Sequence, residues 1–462
     1  MSITLDEINI LVWNYLLENG FSHTAFLFES ESLINSSNVQ QDQICPNSLV
    51  NILQNSLKYM KIEKPINHCR ENENSKLFKK IKNLEIMFPE KEETNEDKNE
   101  SDKGKLLNAE FLEQPIQLTP DVACVLISHR SSVFCCKWSP NAEKLATAGE
   151  DSTIILWDFK DDISTHHEII GKPETQTFDS GISCIDWDFT GRFIAAGTLD
   201  ANIKIYSSSG FCITNLKFHS NNVFVVKFNP AATYLASAGA DRKVVIWDVS
   251  TFSKIQDFEF HKDTIIDLTW KDDFTFVTAS ADHTIGICSI KNSNYIILNY
   301  RNGSVTSVAY NPSRTCLASG SEDSTICLWR NNYQDSFILR GHTAAVSLVQ
   351  WVPGNDYILV SSSLDGTIKI WDTIQNACIH TIQCHQKDIF AISCSPNGKY
   401  IVSGSNDSTI VVSSIYEGKK ILTFTGNSDV YDVQFDRTGK YIAATFEDST
   451  VVVIPFYKYI ND

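Results

Sequence analysis

Three sets of histidine, hydroxyl and aspartate side chains lie in the second part of the chain, and such sets can carry out nucleophilic catalysis. The sets are His129, Thr147 and Asp151; His219, Ser237 and Asp241; and His342, Ser361 and Asp365. In a hydrolase, the aspartate orients the histidine, and the histidine takes the proton from the hydroxyl nucleophile. An enzyme needs only one such set, whereas this chain repeats it. We therefore predict a structural role for these residues and expect no catalytic residues.

The repetition extends over the whole region from residue 129 to the end. Each copy has a strand of small residues, an aspartate and an apolar strand, as in LATAGEDSTIILWD (145–158) and LASAGADRKVVIWD (235–248). The marker aspartates are Asp151, Asp200, Asp241, Asp282, Asp323, Asp365, Asp407 and Asp448. Their spacing is close to 41 residues, apart from one longer interval that a polar loop at 160–176 explains. Eight copies of about four short strands each predict an eight-bladed β-propeller.

The ends of the repeat region indicate how the ring closes. The strand VACVLIS (122–128) precedes the first copy and has no blade of its own. The last copy ends in the apolar strand VVVIPFY (451–457). We expect the first strand to complete the last blade, because this pairing removes the exposed edges of the ring.

These copies resemble the WD-repeat family over about three-quarters of the chain. The resemblance implies a hydrogen-bond network inside each complete blade. Its members are His129, Thr147, Asp151 and Trp157 in the first blade; His219, Ser237, Asp241 and Trp247 in the third; and His342, Ser361, Asp365 and Trp371 in the sixth. Other blades are incomplete: the second has Tyr206 and Ala196 at the tryptophan and serine positions. We expect the incomplete blades to depend more on apolar packing.

The same resemblance predicts a peptide-binding face on the ring. WD repeats expose side chains near the start of each first strand and just before each marker aspartate. The matching residues here are Phe134, Glu150, Phe224, Ile266, Glu322, Asp388, Phe390, Asp429, Tyr431 and Glu447. Aromatic rings beside carboxylates suit a basic extended peptide, because the rings give contact area and cation–π attraction while the acids pair with lysine or arginine. The alternative is that the carboxylates are merely solvated and the face binds a corepressor segment.

The N-terminal region has helical periodicity. Thr4 and Glu7 fit a capping box, and an apolar stripe runs from Ile8 to Leu16. Gly20 suits a helix end, and Pro46 suits the start of a third helix. Because such short helices cannot cover these stripes alone, we expect them to associate. The alternative is a helical hairpin packed against the propeller.

Residues 11–31 resemble a LisH motif, which is a dimerisation element. The matching positions expected to form the oligomer are Leu11, Tyr15, Leu16, Phe21, Ala25 and Phe28. The whole start resembles the transducin-β-like family of LisH/F-box-like/WD-repeat corepressor-complex subunits. The expected organisation is an all-β eight-bladed WD-repeat propeller with a small all-α N-terminal domain: a LisH motif (1–36), an F-box-like region (37–89), a disordered charged linker (90–120) and the propeller (121–462).

Composition narrows the classes of partner. The formal net charge of −17 disfavours direct DNA binding and anionic membranes, because phosphate binding needs a positive surface. No run of about 18 apolar residues predicts a membrane helix, and the acidic N-terminus does not fit a signal peptide. The 13 cysteines show no metal-ligand spacing and are expected to be reduced core thiols. We expect no metal and no cofactor.

Three functional hypotheses follow. The first, implied by the family resemblance, is a non-enzymatic scaffold subunit of a nuclear transcriptional corepressor and histone deacetylase complex, binding corepressor segments and histone tails. The second is a substrate adaptor for ubiquitin ligation, with ubiquitin-ligase or proteasome partners. The third is a cytoskeletal or trafficking LisH/WD scaffold. All three include a homo-oligomer formed through the N-terminal helices.

Overall fold

The structure is a computed structural model that describes residues 115–118, 123–159, 166–170, 181–299 and 303–459. All of them belong to the C-terminal unit, Asn108–Asp462. The expected LisH and F-box-like helices, the oligomerisation residues Leu11 to Phe28 and most of the expected linker lie outside the described residues.

Thirty-three strands are described, and they form eight sheets. Two short strands come first, β1 (Ile116–Leu118) and β2 (Cys124–Ile127). Blade 1 contains β3 (Val133–Trp138), β4 (Lys144–Gly149), β5 (Ile154–Asp158) and β6 (His166–Ile170). Blade 2 contains β7 (Ile182–Trp187), β8 (Phe193–Thr198), β9 (Asn202–Ser207) and β10 (Cys212–Lys217). Blade 3 contains β11 (Val223–Phe228), β12 (Tyr234–Gly239), β13 (Val244–Asp248) and β14 (Lys254–Phe258). Blade 4 contains β15 (Ile265–Trp270), β16 (Thr275–Ser280), β17 (Thr284–Ser289) and β18 (Asn294–Asn299).

The second half of the ring repeats this order. Blade 5 contains β19 (Val305–Tyr310), β20 (Leu317–Ser321), β21 (Ile326–Arg330) and β22 (Asp335–Leu339). Blade 6 contains β23 (Val346–Trp351), β24 (Ile358–Ser363), β25 (Thr367–Asp372) and β26 (Ala377–Gln383). Blade 7 contains β27 (Ile389–Cys394), β28 (Tyr400–Ser405), β29 (Thr409–Ser414) and β30 (Lys419–Thr425). Blade 8 contains β31 (Val430–Phe435), β32 (Tyr441–Phe446) and β33 (Thr450–Pro455), and a short 3₁₀ helix, Phe456–Lys458, follows it.

The sheets are arranged as a closed ring. The first strand of each blade contacts the first strands of both neighbouring blades, and β31 of blade 8 contacts β3 of blade 1. We call these eight strands the inner strands, since they surround the central channel. The predicted eight-bladed propeller is therefore confirmed.

The N-terminal strand closes the ring as the sequence predicts. Strand β2 pairs antiparallel with β33, with Cys124 opposite Val453 and Ile127 opposite Thr450. Blade 8 is thus assembled from both ends of the propeller, and its last apolar strand has no open edge.

One segment differs from the expected linker of residues 90–120. Strand β1 pairs in parallel with β30 of blade 7, with Ile116 opposite Leu422 and Leu118 opposite Phe424. Leu118 is buried in the core cluster that includes Phe424. Two apolar residues, Ile116 and Leu118, therefore attach the chain to blade 7 before the chain enters blade 8.

Small residues in the second strand of each blade explain the repeated motif. Each core cluster joins side chains of neighbouring blades, as when Ala318 of blade 5 packs with Val346 of blade 6. A methyl group added at Gly404 would lie 2.5 Å from Val430 Cγ1 of the next blade. Alanine, glycine and serine therefore recur here because the neighbouring inner strand occupies the space of a larger side chain.

Candidate peptide-binding face

The three hydrogen-bond sets implied by the WD resemblance lie inside their blades. In blade 3, His219 Nδ1 lies 2.8 Å from Asp241 Oδ2, and His219 Nε2 lies 2.8 Å from Ser237 Oγ. The indole of Trp247 donates to the same hydroxyl at 2.9 Å. Blade 1 repeats this geometry with His129, Thr147, Asp151 and Trp157, and blade 6 with His342, Ser361, Asp365 and Trp371.

Two further blades carry most of the network. The two additional sets are His261, Thr278 and Asp282 in blade 4, and His385, Ser403 and Asp407 in blade 7. Both lack the tryptophan, which Cys288 and Ser413 replace. The sequence signal that finds them is a histidine four residues before each inner strand, at Ile265 and Ile389. A search of the sequence for the complete four-residue network does not find these two blades.

The marker aspartate also has a second, local role. In seven blades one carboxylate oxygen accepts the backbone N–H two residues later, as Asp151 accepts from Thr153 at 3.0 Å. The residue between them has a positive φ, for example 61° at Ser152. The aspartate thus stabilises a tight turn even in blades 5 and 8, where no histidine partner is described.

Hydrogen bonds in the network keep the marker aspartates ionised. Burial alone would raise the pKa of Asp151, but the hydrogen bond from His129 and the N–H of Arg130 outweigh it and lower that pKa to about 2. The pKa of Asp365 is lowered to about 2 in the same way, against burial, by Thr367, Thr343 and His342. The hydroxyls of Thr147, Ser237 and Ser361 lie in residues with no exposed surface. A substrate therefore has no access to the group that would serve as nucleophile.

A β-bulge at the start of the inner strands positions the aromatic residues of the ring face. In blade 1 the pairing register shifts between Val133 and Cys135, so Phe134 has no partner on β4. Bulged residues are often re-aimed away from the sheet. All eight inner strands have this shift, and the ring-face residues at the bulge position are Phe134, Phe224, Ile266, Phe390 and Tyr431.

The acids of the ring face are held beside these bulges by the backbone. The N–H of Glu447 donates to the carbonyl of Asp429 at 3.0 Å, and Glu150 N–H donates to Ser132 O at 2.9 Å. Each bond joins the turn before the marker aspartate to the loop before the inner strand. In blade 8 both residues are acidic, so this blade presents two carboxylates side by side.

Seven of the ten ring-face residues lie on three consecutive blades. We call them the acidic-aromatic surface; it consists of Asp388 and Phe390 of blade 7, Asp429, Tyr431 and Glu447 of blade 8, and Phe134 and Glu150 of blade 1. None of the seven is buried. Burial and the carboxylates of Glu447, Asp429 and Glu150 raise the pKa of Tyr431, which places those charges near its ring. The Glu150 carboxylate accepts a hydrogen bond from the Ser131 hydroxyl.

The other three ring-face residues lie elsewhere on the ring. Phe224 belongs to blade 3, Ile266 to blade 4 and Glu322 to blade 5. Glu322 accepts a hydrogen bond from Ser304 at 2.7 Å and is exposed. Because blade 5 is opposite blade 1 in an eight-bladed ring, Glu322 does not join Glu150 and Glu447 in one cluster. Spacing along the chain predicts the face but not the distances across the channel.

Several expected absences can be examined only in the part of the chain that the structure describes. Among those residues, no three histidine, cysteine or acidic side chains are grouped so that they could hold a metal ion. None of the described helices is long and apolar enough to cross a membrane. The eleven described cysteines are free thiols, and nine of them are buried or half-buried.

Three family models match the sequence. The model described as the IFT122 first beta-propeller matches residues 181–453, and the model described as WD domain, G-beta repeat matches residues 121–158. The LisH model matches residues 6–32. The propeller model alone covers more than half of the chain.

Several curated proteins are similar to this chain along most of their length. F-box-like/WD repeat-containing protein TBL1X of Mus musculus is 27% identical, with 87% of this chain and 89% of that protein covered. TBL1Y of Homo sapiens is also 27% identical, with the same shares of the two chains covered. The SIR4-interacting protein SIF2 of Saccharomyces cerevisiae is 22% identical, with 91% of this chain and 89% of that protein covered.

Solved structures show the same fold. The crystal structure of the C-terminal WD40 domain of Sif2 has a TM-score of 0.64 at 21% identity and covers 72% of this chain and 99% of its own. The computationally designed Ika8 protein has a TM-score of 0.63 at 22% identity and covers 73% of this chain and 99% of its own. With its eight-bladed WD propeller, its LisH match and its similarity to TBL1X and TBL1Y over 87% of its length, the chain belongs to the transducin-β-like family of LisH/WD-repeat proteins.

Proposed function

We propose that this chain is a non-enzymatic scaffold subunit of a nuclear transcriptional corepressor complex that contains a histone deacetylase. The propeller binds a basic peptide segment, such as a histone tail, on the acidic-aromatic surface. The N-terminal helices join several copies of the chain, so that one assembly presents several propellers.

The observation that carries the peptide proposal is the arrangement around Tyr431. Three carboxylates, those of Glu150, Asp429 and Glu447, lie near this ring. The ring of Phe134 packs against that of Tyr431 with centroids 5.7 Å apart. A lysine or arginine side chain can stack on such rings and pair with a carboxylate at the same time.

The charge of the whole chain supports the same class of partner. A net charge of −17 attracts cations over a Debye length and repels phosphate backbones. Phe390 of blade 7 is 41% exposed and continues the aromatic row beyond Tyr431 and Phe134. An extended peptide can therefore cross blades 7, 8 and 1.

A non-enzymatic role is supported by the blade networks. Their histidines, hydroxyls and aspartates are the residues that a triad would use, and they are engaged inside the blades. The Ser361 hydroxyl, for example, lies 2.8 Å from His342 Nε2 and accepts from the Trp371 indole at 2.8 Å. Both partners hold the hydroxyl in a dry interior, where it stabilises the blade.

A substrate adaptor for ubiquitin ligation is the second candidate. The specific observation in its favour is that TBL1X and TBL1Y are named as F-box-like proteins. The two roles are compatible, because an adaptor also needs a peptide-binding propeller. A cytoskeletal or trafficking scaffold would use the same modules with different partners.

Affinity capture of the full chain, followed by mass spectrometry, tests the proposal. We expect wild-type chain to capture corepressor and histone deacetylase subunits. Glu150→Lys/Glu447→Lys should lose histone capture, because two carboxylates of the acidic-aromatic surface become cations. A matched control is Glu143→Lys/Glu417→Lys, which changes the net charge by the same amount. Both positions are exposed and lie in turns on the other face of the propeller. Capture of cullin components alone would favour the adaptor, and capture of dynein or coat proteins alone would favour the third hypothesis.

A further inference from the structure

A second candidate site lies at the other mouth of the central channel. Each inner strand starts at the peptide-binding face and ends at the opposite face, so Val133 and Trp138 mark the two ends of β3. The turns that follow the inner strands surround a cavity of about 490 Å³. Its lining comes from blade 8 round to blade 5.

The cavity is rich in cations although the chain as a whole is acidic. Four basic side chains line it: Lys137, Lys227, Arg314 and Arg437. Asp186 is the single acidic residue in the lining. The carboxylate of Asp186 accepts the backbone N–H of Phe228 at 2.9 Å and so connects blades 2 and 3. The carboxylates of Asp267 and Asp432 also act on Lys227, so three carboxylates oppose the four cations and the cavity keeps one net positive charge, in a chain whose net charge is −17.

The two lysines are inside the channel, and their ammonium groups are available. Among the described residues, neither Lys137 nor Lys227 donates a side-chain hydrogen bond or forms an ion pair within 4 Å, whereas such contacts are found for Lys144 and Lys254. Burial would lower the pKa of Lys227, but the carboxylates of Asp186 and Asp267 raise it, so this ammonium stays charged. Both lysines are half-buried, and an ammonium group that is not held by a protein acceptor can contact a bound anion.

The two arginines are placed at the rim. Arg314 Nη1 donates to the carbonyl of Trp270 at 2.9 Å, which uses one of its five N–H groups and fixes its position. The guanidinium of Arg437 lies 4.8 Å from the ring centroid of Phe189, which is 60% exposed. Both planar groups can therefore offer paired donors to an anion at the entrance.

The aromatic walls contribute shape but few donors. The indole N–H of Trp187 donates to Lys137 O at 3.1 Å, and that of Trp270 donates to Lys227 O at 3.0 Å. Because these indoles are already bonded, recognition of a ligand rests on the four cations. This selects for charge and disfavours a neutral ligand.

We infer that this cavity binds a small soluble polyanion that carries two or more phosphate groups. One phosphate sits between Lys137 and Lys227, and another is held by Arg314 and Arg437 at the rim. The volume is in the range of small-molecule sites, and residues of six of the eight blades line it, which favours a compact ligand over a peptide. The site is on the opposite face from the acidic-aromatic surface, so the inference is independent of the proposed function.

Calorimetric titration of the full chain with sodium tripolyphosphate tests the inference. We expect saturable binding of one tripolyphosphate per chain, at least about tenfold tighter than that of orthophosphate. Arg437→Glu should weaken binding by at least about tenfold, because a rim cation becomes an anion. The matched control is Lys399→Glu, an exposed lysine in the corresponding turn of blade 7 that does not line the cavity. It should change the affinity by no more than about twofold.

A second variant tests the proposed phosphate position between Lys137 and Lys227. Lys227→Met keeps the side-chain length and removes the charge, and it should weaken binding while thermal melting shows that the propeller is still folded. Three results would overturn the inference: no saturable binding of tripolyphosphate at millimolar concentration, equal affinity in wild type and Arg437→Glu, or tighter binding of an acidic peptide of the same charge. Glu150→Lys/Glu447→Lys should leave tripolyphosphate binding unchanged, so failure here is distinct from failure of the peptide proposal.

Discussion

The rings of Phe134 and Tyr431 meet edge to face across the junction of blades 8 and 1, with centroids 5.7 Å apart and planes at 74°. Each ring sits at a bulge at the start of its inner strand. The pair is therefore built from the two ends of the repeat region, which are brought together only when the ring closes. Ring closure and formation of the acidic-aromatic surface are the same event.

The blade network predicts unequal effects of two aspartate substitutions. Asp241→Ala should cost about 3 kcal/mol of unfolding free energy, because His219 loses its acceptor and the N–H groups of Ser220 and Lys243 lose theirs. Asp200→Ala, at an exposed position of blade 2, should cost about 1 kcal/mol. Denaturant unfolding of both variants measures the difference. Equal losses would contradict the role given to the histidine–aspartate pair.

Packing between blades predicts a coupled pair of substitutions. Gly404→Ala should destabilise the propeller by about 1–3 kcal/mol, because the new methyl group would lie 2.5 Å from Val430 Cγ1. In the background of Val430→Ala, the same change should cost less, since the closest contact is then removed and the next, with Val433 Cγ1, is 2.9 Å. A double-mutant cycle measured by denaturant unfolding gives the coupling energy. Strict additivity of the two changes would show that the two side chains do not compete for one space.

The repeat could be predicted from the sequence because each blade has the same pattern of small residues, aspartate and apolar residues. The eight marker aspartates and the small-residue strands fix the register, and the structure has eight blades in that register. The incomplete motifs of blades 4 and 7, with Cys288 and Ser413 in place of tryptophan, predict more apolar packing and do not indicate the histidine–aspartate pairs that the structure has there. The position of Glu322 opposite Glu150 follows from the predicted count of eight blades. The cation-lined cavity around Lys227 could not be predicted, since it depends on distances across the channel that the sequence pattern does not contain.

The stability of the propeller should decrease as the pH falls below neutral. Burial lowers the pKa of His261 and His342, so below about pH 6.5 the unfolded chain binds protons that the folded chain does not. The pKa of Asp151 is lowered to about 2, so its contribution is complete above about pH 4 and is lost as the pH falls towards 2. Melting temperatures measured from pH 7.5 to 3 should therefore fall in two stages. A rise between pH 7 and pH 5 would contradict the assignment.

The LisH resemblance predicts that the full chain is an oligomer. Leu16→Glu or Phe21→Glu should dissociate it, because a charge would be buried in the helical interface without a partner. Light scattering gives the mass of the wild type and of each variant, and melting of the propeller serves as the control for folding. Variants that keep the mass of the wild-type oligomer would show that these residues are not at the interface.

The most direct test of the central claim is a titration of the full chain with a basic histone-tail peptide at two salt concentrations. Affinity should fall at the higher salt, because the attraction is largely electrostatic. Acetylation of the lysines, or Glu150→Lys/Glu447→Lys in the protein, should weaken binding by about tenfold or more, while Glu322→Lys on blade 5 should have a smaller effect. An affinity that is unchanged by salt, by acetylation and by the double charge reversal would contradict binding of basic peptides on the acidic-aromatic surface.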